Sequence, residues 1–387
     1  MFHLIDENNM WTVAAVWMLL AAVSAGLAIR FKIAAALVEI VIGIVAGNLL
    51  GLHTTAWIDF IAGFGSILLT YLAGAEIDPA VLRTQLLPAT VLGAVSFGAP
   101  FVAAGLFAFY GAHWTFDAAK IAGIAMSTTS VAVVYAVMIE SGLASRSFGQ
   151  LILAACFFTD LGTVVALGLL FANFNLWLGA VVVSIAVAMI AVPRLVPSIF
   201  ERTRKYVSEP GLRVLFAVIF ALAALATYAK SEGVLPAYFL GLACAGMLVA
   251  HPDVKRRLQT MAMTLLTPFY FIKAGTYVSL RDAWSGIGLI GALFAVKVVA
   301  KVLGVLPVAR LFGYPRRDAN YLTLMMATGL TFGTISSLYG LTHHYINGAQ
   351  YTALVTVVIL TAIVPTLVAQ ALFKPTEDPP EMESEVP

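Results

Sequence analysis

Long apolar stretches separated by short polar connections fill the chain from residue 10 to residue 373. Each run lasts about 20 residues or more, the length that a helix needs to cross a bilayer. A β-barrel would instead show segments of about 10 residues with alternating polarity. The pattern predicts an all-α polytopic membrane protein with thirteen transmembrane helices, at 10–30, 33–51, 58–77, 86–111, 117–140, 148–172, 175–196, 212–230, 233–250, 259–280, 285–312, 319–341 and 351–373.

The composition excludes the soluble classes of protein. Of the 387 residues, 61% are hydrophobic and only 11% are charged, whereas about 25% of the residues of a soluble domain are charged. Cys156 and Cys244 both lie inside apolar runs, so neither a disulfide framework nor a CxxC site is expected. The acidic start leads into a full-length span, which is not typical of a cleavable signal peptide.

The distribution of positive charge predicts the orientation. If the N-terminus lies outside, the cytoplasmic connections and tail hold 16 of the 22 Lys and Arg residues, and the opposite side holds 3. This asymmetry follows the positive-inside rule. We therefore expect an external N-terminus and a cytoplasmic C-terminus. The acidic, Pro-rich tail, 374–387, is predicted to be disordered.

Thirteen spans divide into two inverted six-helix repeats joined by a linker helix, a plan common among secondary transporters. The fifth span contains MSTTSV and the twelfth contains ATGLTFGTISS, at corresponding places in the two halves. Because both segments are rich in Ser, Thr or Gly at mid-membrane depth, we predict two discontinuous helices whose freed backbone groups line a cavity. Close helix packing by small residues is the alternative explanation.

Ionisable side chains deep in a membrane are costly and are therefore functional candidates. Asp160 lies in the middle of the sixth span; its alternative role is to pair with a lysine and lock two helices together. Lys297 and Lys301 lie one turn apart on one face of the eleventh span, and snorkelling is their alternative. Glu76 ends the third span and either faces the mouth of a cation path or is an ordinary interfacial acid.

No role is predicted for Glu39, in the second span, or for Lys273, in the tenth. An enzyme is not expected: one deep aspartate cannot form an aspartyl-protease dyad, and HExxH and P-loop motifs do not occur. The sequence shows no selectivity-filter motif typical of a channel. The inverted halves and the single buried acid favour alternating access, and one deep carboxylate beside a lysine favours an antiporter. A sodium-driven symporter of organic anions and a cation channel are the alternatives.

Five segments, in this order, carry a resemblance to a known family: LVEIVIGIVAGN, YLAGAEIDP, STTSVAVVYAVMIESG, the pair Thr159–Asp160, and KVVAKVLG. Together they resemble the monovalent cation:proton antiporter superfamily, most closely its Kef-type, cation:proton antiporter-2 branch. The resemblance implies exchange of Na⁺ or K⁺ for H⁺ by elevator-type alternating access, without a cofactor, in a homodimer of the bacterial inner membrane.

The resemblance also implies a division into domains. Helices 1–3 (1–83) and 8–10 (212–283) would form a dimer domain, and helices 4–6 (84–173) and 11–13 (284–373) a moving core. The segment 174–211 would hold the linker helix. Asp160 would bind the cation and the proton in competition.

Thr159 stands where other members carry Asp, Asn or Gln, so one carboxylate is left and electroneutral exchange is expected. The resemblance assigns Lys301, and with it Lys297, a structural and pKa-tuning role. Further oxygen ligands of the monovalent cation at Asp160 would come from Thr159, Thr128, Thr129, Ser130 and Glu76. The second discontinuous helix would be built on Thr328, Gly329, Thr331 and Gly333.

Overall fold

The computed structural model describes residues 9–31, 34–76, 85–143, 146–171, 176–203, 206, 208–229 and 233–375. Every regular element in this part of the chain is helical. All but the first two residues of the predicted disordered tail lie outside the described residues. The helices are α1 (Met10–Phe31), α2 (Ala35–Leu49), α3 (Ala56–Ala75), α4 (Leu86–Leu106), α5 (Phe116–Ser127), α6 (Val131–Glu140), α7 (Ser147–Leu170), α8 (Leu176–Thr203), α9 (Pro210–Tyr228), α10 (Val234–Ala250), α11 (Pro252–Met261), α12 (Thr267–Thr276), α13 (Leu280–Ser285), α14 (Ile287–Leu311), α15 (Arg316–Met326), α16 (Thr331–Thr342) and α17 (Gly348–Val368).

Nine helical segments within the described ranges are long and apolar enough to cross a membrane. Two further apolar helices, α2 and α10, are shorter. The prediction of an all-helical membrane protein is confirmed, whereas the count of thirteen spans and the inverted repeat stay predictions. The nine segments are Met10–Phe31, Ala56–Ala75, Leu86–Gly111, Ser147–Leu170, Leu176–Thr203, Pro210–Tyr228, Ile287–Leu311, Arg316–Thr342 and Gly348–Phe373.

The chain forms two compact units. The first consists of Met1–His53, Arg83–Thr163 and Phe271–Pro387, and the second of Thr54–Leu82 and Val164–Tyr270. In the second unit, α3 packs closely against α10, and a Cβ on Gly241 would overlap the carbonyl oxygen of Tyr71. The predicted division into a dimer domain and a moving core stays a prediction.

Small residues also bring helices together in the first unit. A Cβ on Gly43 of α2 would overlap the carbonyl oxygen of Ile272 on α12. Just beyond this contact, the Asn48 side chain donates to the Val278 carbonyl oxygen at 2.7 Å. The Tyr351 hydroxyl of α17 donates to the Ala274 carbonyl oxygen at 2.6 Å. These bonds join α2 to the turn that follows α12, and α17 to α12 itself.

Two helices of the first unit are interrupted. Residues 128–130 separate α5 from α6, and residues 327–330 separate α15 from α16. The hydroxyls of Ser127 and Thr128 donate to carbonyl oxygens three residues earlier, at 2.7 and 3.3 Å. Thr328 does the same at 2.8 Å. Such local bonds compete with the continuing helix. The Ser130 hydroxyl accepts from the Val133 amide at 3.4 Å and so caps α6.

Candidate functional site

The two interruptions contact each other in the first unit. The Thr129 hydroxyl, in the first, donates to the carbonyl oxygen of Met326, at the end of α15, at 2.8 Å. Gly333 lies opposite: a Cβ there would be 3.2 Å from both the Ala125 carbonyl oxygen and the Thr128 hydroxyl. The ends of helix segments carry partial charges of both signs. Polar backbone groups from two helices therefore meet in a buried region.

Lys301 binds the first interruption directly. Its Nζ donates to the Ser96 hydroxyl of α4 at 2.8 Å, the Ser127 carbonyl oxygen at 2.9 Å and the Thr129 hydroxyl at 3.0 Å. Its side chain is fully buried. An ammonium group has three donors, so all three are satisfied. Because Thr129 also donates to Met326, Lys301 connects α4, the end of α5 and the second interruption.

Asp160 lies on α7 and is only 3% exposed. Cys156, one turn earlier, places its sulfur 3.8 Å from that of Met326. The carboxylate is therefore about one turn of helix from the place where the two interruptions cross. The adjacent Thr159 is fully buried and donates to the Cys156 carbonyl oxygen at 2.7 Å.

The predicted site residues are distributed over both units. In the second unit, Glu76 caps the C-terminal end of α3 and is exposed. Glu39 and Lys273, for which no role was predicted, belong to the first unit and are buried on α2 and α12. In the first unit lie Thr128, Thr129 and Ser130 in the first interruption, Thr328 and Gly329 in the second, Thr331 and Gly333 in the first turn of α16, and Thr159, Asp160, Lys297 and Lys301 on α7 and α14.

Sequence reasoning missed two hydroxyl partners of the buried lysines. Ser96 accepts from Lys301, and Thr361 of α17 accepts from Lys297 at 3.2 Å. Each is a polar residue within an apolar run, and that was the only signal available. Hydroxyls in such runs commonly satisfy their own helix backbone, so the sequence did not distinguish these two from the others.

A membrane protein with two interrupted helices crossing near a buried carboxylate and a buried lysine has the architecture of a secondary transporter. The family described as sodium/hydrogen exchanger, transmembrane, matches residues 17–374. The chain therefore belongs to this family of integral membrane proteins. Its members are transporters and not enzymes, and they need no cofactor because the ions are the substrates.

Known antiporters are similar to this chain over most of its length. A relative from Methanocaldococcus jannaschii, the probable Na(+)/H(+) antiporter 3, is 23% identical over 359 residues, which are 89% of this chain and 92% of the relative. A structure of the sodium proton antiporter MjNhaP1 from the same organism, at pH 8, has a TM-score of 0.67 and 15% identity, and covers 92% of this chain and 95% of that one. An electron-microscopy structure of MjNhaP1 gives a TM-score of 0.66 at 14% identity, with 92% and 94% covered.

The likeness to MjNhaP1 shows the fold. The resemblance to the monovalent cation:proton antiporter superfamily is confirmed. The Kef-type branch stays a prediction, because neither the matched family nor the relative distinguishes between the branches.

Proposed function

We propose that this protein exchanges Na⁺ or K⁺ for H⁺, and that Asp160 binds the cation and the proton in competition. The observation that carries the proposal is the position of Asp160: a carboxylate 3% exposed and about one turn from the crossing of two interrupted helices. A buried carboxylate is costly unless a proton or a cation compensates its charge. The cation and the proton therefore compete for the Asp160 carboxylate.

The oxygens of the proposed ligands suit an alkali cation. Hard cations bind carboxylate, carbonyl and hydroxyl oxygens. Thr159, Thr128, Thr129 and Ser130 supply hydroxyls within the first unit, all of them buried. A hydroxyl that donates one hydrogen bond keeps lone pairs that can bind an ion. In this proposal Glu76 belongs to the cytoplasmic mouth of the path. Sodium is named for the relatives, whereas potassium is proposed from the ligand types alone.

The transport cycle we propose is an elevator-type movement in a homodimer of the bacterial plasma membrane. The core, residues 84–173 and 284–373, would carry Asp160 from one side to the other while the dimer domain stays fixed. The N-terminus would lie outside and the C-terminus in the cytoplasm. Support for this orientation comes from the excess of Lys and Arg in the connections of one predicted side.

The direct test uses purified protein in liposomes with an acidic interior and a quenched pH-sensitive dye. Addition of NaCl or KCl, without an organic solute, is expected to dequench the dye because cation entry drives H⁺ out. Choline chloride is the control and is expected to have no effect. An absolute requirement for an organic anion would instead indicate a symporter. Conduction far above transporter turnover would indicate a channel.

We expect one cation to exchange for one proton without net charge movement. Asp160 is a buried carboxylate about one turn from the crossing, and the hydroxyl of the adjacent Thr159 cannot hold a second proton in the physiological range. The core would therefore carry the same charge with either ligand. Initial rates of Na⁺-driven H⁺ efflux, in liposomes clamped at several potentials with valinomycin and K⁺, are expected to be independent of the potential.

One elementary charge moved through 100 mV corresponds to about 2.3 kcal/mol, so electrogenic exchange would be easy to detect. If K⁺ is also a substrate, current measurement on a supported membrane replaces the clamp. A current that reverses with the cation gradient would contradict 1:1 exchange and would indicate that Lys301 carries a second proton.

A further inference from the structure

The second buried lysine, Lys297, makes little use of its charge in local hydrogen bonding. It lies on α14 one turn before Lys301, and its side chain is fully buried. Within the described residues its Nζ donates one hydrogen bond, to the Thr361 hydroxyl at 3.2 Å. An ammonium group has three donors. One hydrogen bond uses only one of these donors, so the position of the ammonium matters as well.

That position is the place where the two helix interruptions meet. Gly329, in the second interruption, lies directly against the Lys297 ammonium, and a Cβ at residue 329 would overlap Nζ. The same Cβ position is 3.2 Å from the Thr128 hydroxyl and 3.4 Å from the Thr128 carbonyl oxygen. Every residue other than glycine has a Cβ, so a substitution at 329 would require the buried ammonium to move.

The two lysines serve different interruptions. Lys301 donates to the carbonyl oxygen of Ser127, the last residue of α5. Lys297 lies against Gly329, just beyond the end of α15. The C-terminal end of a helix carries partial negative charge, which a nearby cation stabilises. One lysine is therefore bonded to the C-terminal end of α5, and the other lies in the interruption that follows α15.

We propose that Lys297 is a positioning residue of the cation site: its ammonium fixes the second interruption against Thr128, and glycine at 329 lets the ammonium lie there without displacement. This proposal depends on the proposed function in one respect, namely that Thr128 is a ligand of the cation. Loss of the ammonium displaces oxygens that bind the cation, so the apparent KM for Na⁺ rises. A role limited to folding would lower stability and leave KM unchanged.

The test is a double-mutant cycle with Lys297→Met, Gly329→Ala and both together. Methionine ends one atom short of the lysine nitrogen and so leaves space for the new methyl group. Each single variant is expected to raise the KM for Na⁺ about fivefold. The double variant is expected to show about the same fivefold increase, because both changes remove the same contact. Gly291→Ala, on the same helix as Lys297, is the control, since its methyl group would meet no atom within 4 Å.

Thermal unfolding in detergent tests the contact between Lys297 and Gly329 without a measurement of transport. Gly329→Ala is expected to lower the melting temperature by about 5 °C, and Lys297→Met in the same chain is expected to restore it. Additive increases in KM, roughly 25-fold in the double variant, would overturn the proposal. So would a Lys297→Met variant of lower stability with unchanged KM. If the wild type exchanges no cation, the proposed function fails, yet the unfolding cycle still decides whether Lys297 and Gly329 are coupled.

Discussion

Replacement of Asp160 by asparagine is expected to abolish cation/proton exchange and to leave a folded protein. The amide keeps the size of the carboxyl group, but it neither carries a charge nor binds a proton in the physiological pH range. Both ligands would lose their common group. In the liposome assay we expect dequenching on addition of NaCl to fall more than about 100-fold, which corresponds to about 2.7 kcal/mol of lost transition-state stabilisation.

The matched control is Asp117→Asn, which makes the same chemical change on α5. Asp117 is half-exposed and forms an ion pair with Lys120 at 2.6 Å, and exposed pairs of this kind contribute little to stability. Exchange by this variant is expected to equal that of the wild type. Transport by Asp160→Asn at more than a few per cent of the wild-type rate, with intact folding shown by thermal unfolding, would mean that another group carries the ions.

The second large effect concerns Lys301, whose replacement by glutamine is expected to destabilise the protein and shift the pH optimum of exchange, while some activity is left. The ammonium donates to Ser96, Ser127 and Thr129, and hydrogen bonds from charged groups contribute about 1.5–3 kcal/mol each. Glutamine can replace only part of them. We expect a loss of about 3 kcal/mol, seen as a melting temperature lower by roughly 5–10 °C.

Lys297→Gln provides the comparison on the same face of α14. Since Lys297 donates one hydrogen bond, to Thr361, in the part of the chain that the structure describes, its replacement is expected to lower the melting temperature less than that of Lys301. Complete loss of exchange in Lys301→Gln at an unchanged melting temperature would contradict a structural role. It would assign Lys301 to proton transport instead.

The sequence predicted the helical membrane fold because the length of each apolar run is a local property of the chain. Each span is recognisable by itself, since the bilayer requires about 20 apolar residues with internally paired backbone groups. It also singled out the Ser-, Thr- and Gly-rich segments of the fifth and twelfth spans, and residues 128–130 and 327–330 within these segments are not helical. Local hydroxyl-to-backbone bonds give the physical reason, as at Thr128 and Thr328.

The apolar pattern could not show which groups Lys297 and Lys301 contact. Lys297 and Lys301 are one turn apart and chemically identical, and the resemblance separated them only by spacing. In the structure Lys301 donates to the first interruption, whereas Lys297 lies against Gly329 in the second. Ser96 is more than 200 positions from Lys301 in the chain. Such contacts depend on how helices cross, and the apolar pattern of each helix is compatible with several crossings.

The sequence by itself therefore determined the all-helical membrane class and Asp160 as a deep carboxylate, because hydropathy and the cost of burying charge act on each segment separately. Only the tertiary structure decided which groups meet: Thr129 with Met326, Lys301 with Ser96, and Lys297 with Gly329. It also placed Glu76 in a different unit from Asp160. The physical reason is that helix association in a membrane depends on close packing and interhelical hydrogen bonds between residues distant in sequence.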